Sequence, residues 1–158
     1  MIGEWSEALE ATRLATALRT STLAYPLVND SHVLGIGLLV GAVFALDLRL
    51  LGLWRRAALE PLWRVLVPLA SAGLILAVVS GTLLFLTRAS EYIDSFLFLT
   101  KMGLLLLALL NAWGMRRFRH RPMLRADGGP IWPVAGVAAL SLVSWLGVLL
   151  CGRLVGYF

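Results

Sequence analysis

Charge is what this chain has least of. Asp, Glu, Lys and Arg make up 15% of its 158 residues and hydrophobic residues 59%; a soluble domain is about 25% charged. The excess apolar surface must therefore face something other than water. Cysteine is nearly absent, and the single Cys151 excludes any disulfide within the chain. Phosphate-binding loops, a nucleophile elbow, a zinc-protease motif and paired catalytic carboxylates are all missing, so soluble-enzyme chemistry has no footing. The first residues carry no basic n-region and no small-residue cleavage pattern follows. A secretory signal peptide is thus not expected, and the first span serves as its own insertion signal.

What is present is long apolar runs, with a mean hydropathy of +0.85. Four segments have the length a bilayer requires, about 20 residues each: roughly 25–53, 65–86, 96–115 and 132–154. None alternates as a barrel strand would. Before them, residues 4–20 have loose helical spacing, with Ala11, Leu14, Ala15 and Leu18 on one side. That stretch is too polar to span and reads as an amphipathic helix lying in the interface, with Trp5 at headgroup level. A short solvated helix packed on the outer loops is the alternative. The fold class is all-α: one membrane domain, residues 1–158, built as a four-transmembrane-helix bundle with an N-terminal interfacial amphipathic helix.

The net charge of +5 does not indicate nucleic acid, because the basic residues sit just outside the apolar runs. Arg49, Arg55, Arg56 and Arg64 flank the first connection, and Arg116, Arg117, Arg119, Arg121 and Arg125 the third. The positive-inside rule places both connections in the cytoplasm of a bacterial inner membrane and both termini in the periplasm. Asp127-Gly128-Gly129-Pro130 reads as a turn into the last span. Small residues at four-residue spacing, Gly37, Gly41 and Ala45 in span one and Gly73, Ala77 and Gly81 in span two, are expected to let helices approach closely.

With this topology the ionisable residues fall into two clusters. His32, Lys101 and Arg153 lie near the outer face, with Asp30 as a counter-charge. Asp47, Arg49 and Asn111 lie toward the inner face. His32 and Asp47 are 15 residues apart, about 22 Å along a helix. The inner cluster is most simply structural: Asp47 and Arg49 close the end of span one, and Asn111 bonds between helices. Phospholipid headgroup binding and a proton path are the other readings. At the outer cluster, Lys101 stands well inside an apolar run, where an ammonium needs a carboxylate, an anionic ligand or loss of its charge.

A ligand that supplies anions and uses an imidazole is haem b, with His32 on the iron and Lys101 and Arg153 on the propionates. His120, the only other histidine, lies in a cytoplasmic loop and cannot be a second axial ligand. The iron is then five-coordinate, or takes Lys101, Met102 or a histidine from a second copy of the chain in a homo-oligomer. A quinone is the related alternative. Copper held by His32, Met102 and Cys151, in a transport protein, is a further reading. A non-catalytic accessory subunit, its polar groups only locking helices together, is another. The partners expected are the lipid bilayer and a quinone or periplasmic redox partner, not nucleic acid.

Tyr25-Pro26-Leu27-Val28, His32-Val33-Leu34-Gly35-Ile36 and Asp47-Leu48-Arg49-Leu50-Leu51-Gly52, with Phe98-Leu99-Thr100-Lys101, Asn111 and Gly152-Arg153, resemble a family of small bacterial four-helix membrane proteins to which no activity is assigned. More distantly, an outer histidine, an arginine after the first long span and a lysine opening a later one resemble two better-known groups. These are the four-helix membrane protoporphyrinogen oxidases, which bind b haem, and the copper-resistance D-type membrane proteins. The resemblance implies His32 as an axial ligand and Lys101 as its companion.

Overall fold

The computed structural model describes residues 2–54, 56–118 and 132–156, with the side chains of 2–4, 117, 118, 132 and 133 left aside. Arg55, His120, the basic residues 119, 121 and 125 and the Asp127–Pro130 turn lie outside the described residues. Every regular element is a helix: α1 (Ile2–Glu10), α2 (Arg13–Thr20), α3 (Ala24–Leu50), α4 (Leu59–Thr87), α5 (Ala89–Ile93), α6 (Phe96–Phe118) and α7 (Trp132–Leu154). Four of them, α3, α4, α6 and α7, are long and apolar enough to cross a membrane. The chain is a multi-pass membrane protein by that criterion, with lipid as the natural neighbour of its many exposed leucines and valines.

The helix ends have local causes. Pro26 falls in the first turn of α3, where its missing N–H has no partner to lose. At the other end Gly52 adopts φ 101°. It donates to the Arg49 carbonyl while Leu53 donates to that of Leu48, so the chain reverses in a Schellman motif. The helix therefore stops at Leu50, three residues short of the predicted span. The second spanning helix begins earlier than expected, at Leu59, and Glu60 and Arg64 pair at 3.1 Å along one face of its first turns.

The single helix expected over residues 4–20 is instead two. Thr12 breaks it: its Oγ1 donates to the Leu9 carbonyl at 2.8 Å and accepts from the Ala15 N–H at 3.3 Å, capping α2. The pair packs against α4, α3 and the short helix α5. Ala15 and Leu18 are buried, while Trp5, Leu9 and Leu14 stay exposed. Glu10 fastens this cap, its Oε1 accepting from the Ser90 N–H at 2.8 Å and the Ser90 hydroxyl at 2.7 Å.

The bundle is two antiparallel hairpins, α3 on α4 and α6 on α7, joined where α3 meets α7. The α3–α4 seam is a backbone contact. A Cβ added to Gly35 would lie 2.6 Å from the Ala77 nitrogen, and one added to Gly73 would lie 2.6 Å from that of Leu39. Only glycine permits that approach. On α3 the predicted stripe was one face off: nothing lies within 4 Å of a Cβ at Gly37 or Gly41. On α4 it was right, since Gly73, Ala77 and Gly81 all face α3. The core lies in two clusters. Leu39, Val40, Ala108 and Trp145 fill the middle, and Leu46, Leu50, Trp63, Met115 and Ala138 fill the end where α3 finishes.

Candidate functional site

One turn from the Gly35–Gly73 crossing, His32 leaves α3 and lies flat over α4. The Gly81 position is the platform: a Cβ there would come within 2.8 Å of Cε1 of the ring. The imidazole Nδ1 is 2.9 Å from the Ala77 carbonyl oxygen and 3.2 Å from Ser80 Oγ. A carbonyl can only accept, so Nδ1 carries the proton. Ser80 donates its own hydroxyl to the Leu76 carbonyl, which leaves its oxygen lone pair to accept from the same Nδ1–H. Ala77 and Ser80 together take up the Nδ1–H, and Nε2 makes no hydrogen bond among the described residues. An imidazole held by Nδ1–H on a carbonyl is the arrangement that aims Nε2 at an iron, a copper or a hydroxyl.

Lys101 reaches the same end of the bundle from α6. Its Nζ and Cε would lie 3.4 Å from a Cβ at Gly152, so the stem lies along the α7 backbone. The ammonium is within electrostatic range of both the Cys151 thiol and the His32 ring. Among the described residues no carboxylate lies within 4.0 Å of it. Arg153 is exposed at the same end of α7.

Three rings from successive helices pack on one another. Phe85 of α4, Tyr92 of α5 and Phe98 of α6 have centroids 5.3–6.1 Å apart, a spacing at which aromatic faces attract. Burial pushes the Tyr92 hydroxyl above its ordinary range, and neighbouring Tyr25 adds to the effect.

Two of the expected participants are on the surface. Asp30 is exposed: it precedes His32 by two residues, about 200° around the helix, so it turns away from the ring. It is not the counter-charge of Lys101. Met102 follows Lys101 by one residue and is 37% exposed. Among the described residues no three His, Cys, Asp or Glu side chains gather as metal ligands.

The second cluster separates likewise. Arg49 donates from Nε to the Ala57 carbonyl at 2.7 Å, closing the α3–α4 turn. Asn111 donates from Nδ2 to the Val137 carbonyl at 3.1 Å, tying α6 to α7. Asp47 is buried against Ser141 of α7. Sequence reasoning missed Ala77, Ser80 and Gly81 as the seat of the histidine, and Ser141 as the partner of Asp47. The small-residue stripe on α4 was the available signal for the first; nothing in the sequence marked the second.

No family model matches the chain, and neither the curated proteins nor the solved structures contain a match to it.

Proposed function

We propose that this protein binds a redox cofactor, haem b or a quinone, at the His32 end of the bundle and passes electrons within the membrane. The observation that carries this reading is the pairing of opposite needs. His32 offers an Nε2 with no hydrogen bond among the described residues, on a ring held at Nδ1, and Lys101 offers a half-buried ammonium with no described carboxylate beside it. A ligand with an electron-poor centre or an acidic hydroxyl on one side and an anionic or carbonyl oxygen on the other meets both.

The bound group would supply the one- or two-electron chemistry. The residues bind and orient. For a quinol, Nε2 of His32 would accept a hydrogen bond from one hydroxyl and Lys101 would donate one to the opposite oxygen. For haem, His32 would hold the iron, and Lys101 and Arg153 would hold the propionates. On the positive-inside reading this end faces the periplasm of a bacterial inner membrane, where a redox partner could dock.

Purification from cofactor-replete membranes, followed by a visible spectrum and extraction of bound quinones, tests the proposal. A Soret band or a stoichiometric quinone is expected in the parent protein and in neither His32→Ala nor Lys101→Met. A parent protein that carries neither group overturns it.

A further inference from the structure

At the far end of α3, Asp47 is 5% exposed and its Oδ2 has no hydrogen-bond partner. Among the described residues the carboxyl has one companion, the Ser141 hydroxyl of α7. A serine within a helix ordinarily donates to the carbonyl four residues back, as Ser31, Ser71 and Ser144 do here. The carbonyl four residues before Ser141, that of Val137, receives Asn111 Nδ2 from α6. Ser141 itself pairs with Asp47.

Among the described residues, none supplies a counter-charge. On α3 itself, Arg49 extends to the Ala57 carbonyl. On α4, Arg64 pairs with Glu60. On α6, Arg116 reaches Ser71. The described part of α7 has no ionisable residues other than Cys151 and Arg153, both at its opposite end. The nearest residues in sequence, Leu46, Leu50 and Ala138, belong to the apolar core. A carboxylate with one bare oxygen in such a place costs several kcal/mol. A calcium ion would need about six to eight oxygen ligands and magnesium about six, and Asp47 with Ser141 provides only a few. A proton needs one.

We infer that Asp47 is a proton-binding site, a carboxyl that takes up and returns a single proton from within the α3–α7 seam. Ser141 steadies the carboxylate when the proton leaves. The exchange path is short, because Asp47 stands three residues before the end of α3, about 4.5 Å of helix. The site is separate from His32 and does not depend on any cofactor there.

Infrared difference spectroscopy of the full chain in lipid nanodiscs, across a pH series and in D2O, tests the inference. The parent protein is expected to show a protonated-carboxyl carbonyl band that titrates reversibly and shifts on deuteration. The band should vanish in Asp47→Asn, move in Asp47→Glu and rise in frequency in Ser141→Ala, where its hydrogen bond is lost. His32→Ala should leave it in place, so failure of the cofactor reading and failure of this one are separable. No such band in the parent, a band unmoved by both Asp47 substitutions, or a band displaced by exchanging Na+ for K+ at constant pH overturns the proton site.

Discussion

The two ends of α3 solve the same problem in opposite ways. At each, one polar side chain enters the bundle, one of its atoms is held by a neighbouring helix and another is left open. At His32 the held atom is Nδ1, on the Ala77 carbonyl, and the residue is only partly buried. At Asp47 the held group faces Ser141 and the open atom is Oδ2, fully enclosed. The two ends thus differ in exposure: the imidazole is partly open, one turn from the glycine seam, while the free carboxyl oxygen is enclosed.

The comparison breaks most completely if the seam is forced open. Gly73→Val would place carbon within 2.7 Å of backbone atoms of Leu39 and Gly35. A loss of about 3 kcal/mol or more is expected, read as a fall in thermal midpoint together with loss of any ligand bound at His32. The same substitution at Gly41, where nothing lies within 4 Å, should change stability by about 0.5 kcal/mol or less.

Substitution at the two ends sharpens the contrast. His32→Ala removes a satisfied hydrogen bond and should destabilise by about 1 kcal/mol. Asp47→Leu removes a buried polar group that is only half satisfied, and is expected to be neutral or stabilising by about 1 kcal/mol. Thermal unfolding in one detergent compares them; a large loss at Asp47 would mean that it ties helices together. A smaller effect belongs to Asn111→Leu, about 0.6 kcal/mol by the same measurement, since one interhelical bond to Val137 is lost.

The smallest effect concerns the cap over the His32 end. The Ser90 N–H, then its hydroxyl, hold the Glu10 carboxyl below its ordinary value of 4.5, with Arg19 helping and burial opposing. A carboxyl whose value is lower folded than unfolded contributes its stability above the unfolded value and loses it as pH falls through the folded one. The α1–α5 contact should therefore be intact above about pH 4.5 and loosen on acidification below it. Hydrogen exchange at the Ser90 amide reads this, and Glu10→Gln should remove the pH dependence.

Much of the fold was legible because lipid imposes simple rules. Apolar length gave the four spanning helices, and the last was placed at both ends. Boundaries governed by local hydrogen bonds were not legible in the same way. The Schellman turn at Gly52 shortened α3, and the Thr12 cap divided the N-terminal helix. The glycine contact was displaced from Gly37 and Gly41 to Gly35 because every glycine looks alike in a periodic pattern, while only the partner helix decides which one is used. At the site, depth along the helix was readable but direction was not. His32 and Lys101 were placed at one level, and so were Asp30 and Met102, which are exposed. Ser141 escaped notice because its contact with Asp47 depends on how α7 packs on α3, which no spacing within either helix records.

Nitrogen-15 NMR of protein labelled at histidine, in a His120→Gln background so that His32 is the single signal, reads the proton position on the ring. A shift pattern with Nδ1 protonated and Nε2 bare, and an Nε2 resonance that moves on adding haem or a quinone, is the predicted result. A proton on Nε2 instead would mean that the ring does not rest on the Ala77 carbonyl, and the ligand-facing lone pair would not exist.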